Sequence, residues 1–127
     1  MKPYLIKIPR ASRVLLLEDS ETRIAWFAER LPYLEVARTR DDAIALLAAR
    51  VYDFIFLDHD LGLLDYAGRT GLEGNGRDVA KFLSGTGWTG KNTVIHSWNP
   101  AGAAAMKDIL RNACAIPFGQ FEIEITP

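Results

Sequence analysis

The chain reads as an α/β protein, with an open parallel sheet covered by helices on both faces. Three observations predict this. Strand and helix patterns alternate from about residue 14 onward. Three short runs, Val14 to Leu17 (VLLL), Phe54 to Leu57 (FIFL) and Thr93 to His96 (TVIH), are apolar without alternation, as strands buried on both faces are. Between them run segments whose apolar residues recur with a helical period.

VLLL is the first buried strand, and Ser20 is placed to cap the helix after it. Ile24, Phe27, Ala28 and Leu31 form that helix's apolar stripe, and Pro32 marks its exit. Tyr33 to Ala37 (YLEVA) is a weaker second strand with a charge in its middle. Thr39 followed by Asp42 resembles a capping box, and Ile44, Leu47, Ala48 and Val51 make the second stripe. FIFL is the third strand, followed by a glycine-rich insert at 62–76, long enough to be a functional loop. Val79, Phe82 and Leu83 mark a third helix, stopped by the glycines of SGTGWTG. TVIH is the fourth strand; Asn99 and Pro100 then suit an N-cap and first helical residue, and Met106, Ile109, Leu110 and Ala113 supply the last stripe. Phe121 to Ile125 (FEIEI) alternates strictly, as a fifth strand with one wet face would.

Right-handed crossovers turn this order into a parallel sheet whose half-exposed second and fifth strands are its edges. That is the flavodoxin-like order 2-1-3-4-5. The expected organisation is one domain, 1–127, with residues 1–13 as an N-terminal arm or an extra strand. The alternating YLIKI at 4–8 would pair at an edge in the same chain or in a partner's, which makes a homodimer an expectation.

Apolar residues make up 49% and charged residues 24%, which excludes a disordered chain. A net charge of -1 gives no bulk electrostatic case for nucleic acid or an anionic membrane. The single cysteine, Cys114, reads as a buried small hydrophobe. No apolar run approaches the ~18 residues of a membrane helix, and the N-terminus lacks a signal peptide's pattern. Cytoplasm is therefore the expected compartment.

In such sheets ligands bind beyond the carboxyl ends of the central strands. Glu18 and Asp19 follow the first strand, Asp58, His59 and Asp60 the third, and His96, Ser97 and Asn99 close the fourth. These strands are neighbours in the inferred order, so the residues should converge. Two like charges about 4 Å apart repel by roughly 4 kcal/mol at an effective dielectric of about 20, so something must neutralise the acids. A proton would do so by raising one pKa. Clustered oxygen ligands beside solvent suit a divalent cation better. Simpler readings stand beside these: helix-dipole contacts for Glu18 and Asp19, a structural hydrogen bond for each histidine, an N-cap for Asn99.

At this point the chain resembles a response-regulator receiver domain, from Val14 to its end. LLLEDS is similar to the acidic metal-binding pair, and YDFIFLDHDL to the stretch that carries the phosphoacceptor aspartate. The resemblance implies that Glu18, Asp19 and Asp58 bind Mg²⁺, that Asp60 adds its backbone carbonyl, and that Ser97 hydrogen-bonds phosphoryl oxygens. There are departures. Thr126 precedes Pro127 where receivers carry Lys-Pro, Trp98 stands where a small residue is usual, and the fifth helix is missing.

LDHDL at 57–61, HSWN at 96–99 and the insert resemble the cyclic-phosphate processing receiver subgroup. That resemblance implies hydrolysis of a cyclic phosphate on a nucleotide or RNA end, with Mg²⁺ or Mn²⁺ as cofactor. Histidine, with a reference pKa of about 6.5, is suited to moving a proton, so Asp58, His59 and His96 are the expected catalytic residues. Ser97, Asn99, Arg69 and Arg77 are the expected phosphate-binding residues. A phosphoacceptor receiver of a phosphorelay and a non-catalytic binding module are the competing expectations.

Overall fold

The computed structural model describes residues 3–61 and 75–127. Arg69 and most of the glycine-rich insert lie outside the described residues. The elements in order are β1 (Tyr4–Pro9), β2 (Val14–Leu17), α1 (Glu21–Ala28), β3 (Leu34–Ala37), α2 (Arg40–Ala49), β4 (Phe54–Leu57), α3 (Gly76–Gly85), β5 (Thr93–Ile95), α4 (Pro100–Ile109), β6 (Cys114–Ala115) and β7 (Phe121–Thr126). No helix among the described residues is long and apolar enough to cross a membrane.

The main sheet is parallel, in the order β3-β2-β4-β5-β6. Counted along the sheet's own strands this is 2-1-3-4-5, the flavodoxin-like order. Period-two alternation sends neighbouring side chains to opposite faces. Leu15, Leu17, Ile55, Leu57 and Ile95 therefore meet Ala43 of α2, Val79, Ala80 and Leu83 of α3, and Met106 of α4. On the other face, Val14, Leu16, Phe56 and Val94 meet Ile24 and Phe27 of α1. With both faces covered, VLLL is buried at all four positions.

The fifth strand is not FEIEI. Cys114–Ala115 occupies that place, and FEIEI, as β7, pairs in parallel with β1 in a separate two-stranded sheet. The alternation is real, since Phe121 and Ile123 are buried and Glu124 is exposed. What it could not tell was which apolar surface the strand would cover. Phe121 and Ile123 join Ile8 of β1 against Phe27 and Phe56, on the face that α1 covers only in part. The β1–β7 pair thus takes the space that a fifth helix would fill, and each fully buried side chain there is worth about 1.5–3 kcal/mol. The N-terminal strand finds its pairing partner in the same chain.

Other expectations shift in detail. Cys114 is exposed rather than buried, because the short edge strand turns Ala113 into the core and leaves Cys114 on an uncovered flank. Helix α2 ends at Ala49, so Val51 falls off the apolar stripe and is 84% exposed. Leu31 is buried although α1 has already ended at Ala28.

Candidate functional site

Strand register sets the site. Leu17 pairs with Leu57, and Leu57 with Ile95, so the next residues, Glu18, Asp58 and His96, stand level at three adjacent strand tips. Backbone bonds hold them there: the amide of Asp58 donates to Leu17 O (3.1 Å) and that of His96 to Leu57 O (2.9 Å). By the same alternation they share the α1 face with Leu16, Phe56 and Val94. All three are buried.

Glu18 has several partners. Oε2 accepts from the amides of Asp19 (3.0 Å) and Ser20 (3.1 Å), and Oε1 lies 3.0 Å from His96 Nε2 and 3.5 Å from Arg23 Nη1. Burial alone would raise its pKa, but the His96 hydrogen bond, the Ser20 amide and Arg23 together hold it below the ordinary value. Burial keeps His96 neutral and its pKa low. The imidazole therefore donates from Nε2 to the carboxylate. Its Nδ1 is buried without a hydrogen-bond partner among the described residues, an arrangement that costs about 1–3 kcal/mol in a folded chain.

Asp58 shows the opposite behaviour. Burial, followed by the negative charge of Glu18, pushes its carboxyl up to about 7, although the His59 amide donates to Oδ1 at 2.9 Å. A hydrogen bond with Glu18 also favours the protonated form. Of the two acids Asp58 is therefore the one that takes up a proton, where an ion would otherwise relieve their repulsion. A carboxylate oxygen from each and a ring nitrogen of His96 lie within 4.8 Å of one another; with Nε2 donating to Glu18, the two carboxylates are the atoms that could face an ion. The two oxygen donors suit a hard divalent cation.

The cavity in front of these acids measures about 700 Å³. Glu18, Asp19, Asp58, Asp60, Ser97 and Asn99 all line it. Asp19 is at the cavity wall but outside the tight three-residue group. His59 and His96 are not among the lining residues: His96 stands behind Glu18, and His59 Nδ1 lies 2.7 Å from Asp60 Oδ1. Asn99 is the N-cap of α4, accepting from the Gly102 amide at 2.9 Å, and its Nδ2 also donates to Asp60 (3.3 Å). Ser97 Oγ accepts from the Asn99 amide at 3.0 Å, leaving its own hydrogen to donate. Arg77 is exposed on the first turn of α3 and does not line the cavity.

Sequence reasoning missed Arg23, Trp98 and Phe118. Arg23 ion-pairs with Glu18 while its guanidinium lies 4.0 Å from the centroid of the Trp98 ring. Its position five residues after Glu18, one helical turn into α1, was the available signal. Phe118 enters through the chain that leaves β6, a segment placed by the unexpected strand pairing. The residue before proline after the fifth strand of the sheet is Ile116, not Thr126, and no lysine is among the described residues that line the cavity.

Comparison with known proteins follows this geometry. Residues 13–112 match the profile of the cyclic-phosphate processing receiver domain. No curated protein matches the chain. Among solved structures, a fusion protein carrying the yeast Spc42 trimeric coiled coil superposes with a TM-score of 0.61 at 16% identity, over 91% of this chain and 68% of that one. The receiver domain of the Francisella response regulator 1452 superposes with a TM-score of 0.55 at 18% identity, over 89% of this chain and 84% of that one. At such identities the likeness speaks to the fold.

Proposed function

Since the chain belongs to the cyclic-phosphate processing receiver family, we propose that its acidic cavity holds Mg²⁺ or Mn²⁺ and hydrolyses a cyclic phosphate on a nucleotide or RNA end. The observation that carries this reading is the buried Glu18–Asp58 pair at the wall of a solvent-open cavity, where burial and then the charge of Glu18 lift the Asp58 carboxyl to about 7. Glu18 and Asp58 would hold the ion, with Asp19 and the backbone carbonyl of Asp60 as further oxygen donors. A bound cation neutralises charge on the phosphate's non-bridging oxygens.

The chain's own groups do the rest. Ser97 donates to a phosphate oxygen, and Arg23 adds positive charge at the cavity wall. Water adds to phosphorus, one ring P–O bond breaks, and the water's proton passes to the leaving oxygen. Asp60, oriented by His59 and Asn99, is the cavity-side member of the pair that carries this proton. His96 holds Glu18 in place and excludes water behind it. Arg77, on the first turn of α3, is a further phosphate-binding group, and Arg69, which lies outside the described residues, is the other.

Proton and cation compete for Asp58. In the unfolded chain this group titrates near 3.8, so between 3.8 and about 7 the folded protein carries a proton that the unfolded chain lacks. Stability from this source is complete below pH 3.8 and is lost as pH rises through about 7. Added Mg²⁺ or Mn²⁺ should therefore raise the melting temperature more at pH 8 than at pH 6. An equal shift at both values, or none, would remove the cation from the account.

Turnover is tested with 2′,3′- and 3′,5′-cyclic nucleotides in Mg²⁺ or Mn²⁺. Hydrolysis that stops on chelation and returns with added metal is expected; a lack of hydrolysis in either metal would remove the enzymatic reading. A phosphorelay receiver would instead form a stable adduct on Asp58 with acetyl phosphate or beryllofluoride. Ile116 at the lysine position weighs against that outcome.

A further inference from the structure

We propose that Trp98 is a stacking platform for the nucleobase of the substrate, which restricts the site to phosphates that carry a base; this rests on the cyclic-phosphate reading above. Trp98 is 63% exposed. Among the described residues the other large exposed apolar side chains, Tyr4, Leu5, Tyr33 and Val51, are absent from the cavity wall, whereas Trp98 lines it.

The indole is also held in one orientation. Its Nε1–H donates to Phe118 O at 2.7 Å, the Arg23 guanidinium lies 4.0 Å from the ring centroid, and the Phe118 ring is 6.5 Å away. Arg23 lies over one face of the ring, most of the residue is exposed, and Trp98 also borders a second cavity of about 300 Å³ with Pro100, Ala104 and Pro117. A tryptophan serving only the core would be buried, and one serving nothing would not need three restraints. Pre-set aromatic faces bind bases because no rotamer freedom is lost on stacking.

The spacing suits a nucleotide. One guanidinium, that of Arg23, touches both Glu18 (3.5 Å) and the indole, so the platform stands one side chain away from the acidic centre. A nucleotide with its phosphate at that centre would have to lay its base past the Arg23 side chain to meet the ring. The order Ser97-Trp98-Asn99 couples these parts, since Ser97 faces the cavity, Asn99 caps α4, and Trp98 between them is raised to the rim. Stacking is tolerant of base identity, so the platform separates base-bearing from base-free phosphates.

The test uses the full chain with Mn²⁺ and three probes: 2′,3′-cyclic AMP, a short RNA ending in a 2′,3′-cyclic phosphate, and base-free glycerol 1,2-cyclic phosphate. Binding is followed by calorimetry and by quenching of indole fluorescence, and turnover by KM and kcat. Trp98→Ala should weaken cyclic AMP about 10- to 100-fold in Kd and KM and weaken glycerol cyclic phosphate far less, because that probe loses only the indole's hold on Arg23. Trp98→Phe should restore most of the affinity. Comparable loss with the RNA probe assigns the stacked base to an RNA end, and loss with cyclic AMP alone assigns it to a free nucleotide. Equal weakening of base-bearing and base-free probes, or no weakening, overturns the platform. Trp98-dependent binding without turnover would sink the hydrolysis reading and keep the platform. Turnover indifferent to Trp98 would do the reverse, and no binding by any probe removes both.

Discussion

Asp58→Asn is expected to abolish metal-dependent turnover and the metal-induced rise in melting temperature while making the metal-free protein more stable above pH 7. The two effects share one cause. Asp58 is buried beside Glu18, and its carboxyl is lifted from 3.8 to about 7, so ionising it at pH 8 works against folding. Each pKa unit corresponds to about 1.4 kcal/mol, which makes the full penalty a few kcal/mol. Asparagine keeps the shape, donates a hydrogen bond to Glu18 and never ionises. In a chain of this size each kcal/mol is worth roughly 4 °C, so the gain is measurable by thermal melts between about pH 4 and 8. The stabilisation should be full above about 7, shrink as pH falls from there and vanish below 3.8. A variant that is less stable than the parent at pH 8, or that still responds to Mg²⁺, would contradict the assignment of Asp58 as the strained oxygen donor.

Gly76→Ala is expected to destabilise the protein by roughly 3 kcal/mol or more, the upper end for overpacking a core. A Cβ at Gly76 would lie 1.8 Å from Asp58 O and 2.9 Å from His59 Cα, both backbone atoms that cannot rotate aside. Gly76 also donates its amide to His59 O at 2.9 Å, which pins the start of α3 to the turn carrying the acids. The variant should therefore lose cation response together with stability, read by urea denaturation with and without Mg²⁺. Gly85→Ala in the same helix is the control. Nothing lies within 4 Å of its Cβ, and alanine should be neutral or stabilising by about 0.5–1 kcal/mol. Gly102 is intermediate, because its Cβ would meet the His59 ring at 2.4 Å, and a ring can move where backbone cannot. If Gly76→Ala and Gly85→Ala melted alike, the close approach of α3 to Asp58 would not be a packing constraint.

Much of the site was legible before any coordinates. LED, LDHD and HSWN sit at the ends of continuous apolar runs, and parallel strands with helices between them bring such ends together. The register Leu17–Leu57–Ile95 then makes Glu18, Asp58 and His96 neighbours. The division of labour within the motifs was not legible. His59 and His96 both read as cavity groups, yet one turns onto Asp60 and the other stands behind Glu18. A side chain's face follows from strand parity, but its hydrogen-bond partner depends on what the opposing helix leaves open. Arg23 and Trp98 meet only because α1 and the β5–α4 turn face each other across the cavity.

Sequence alone determined the parallel α/β architecture, the buried strands and the acids at their tips, because periodicity and local chain direction are properties of single segments. Tertiary structure decided where FEIEI goes. An alternating strand has one apolar face whichever surface it covers, and the β1–β7 pair settled on the face that α1 leaves partly bare, while two residues, Cys114 and Ala115, completed the sheet. The same contest between distant segments placed Phe118 beneath Trp98 and so shaped the rim of the cavity. Such choices depend on the sum of burial over segments far apart in sequence, which no local pattern records.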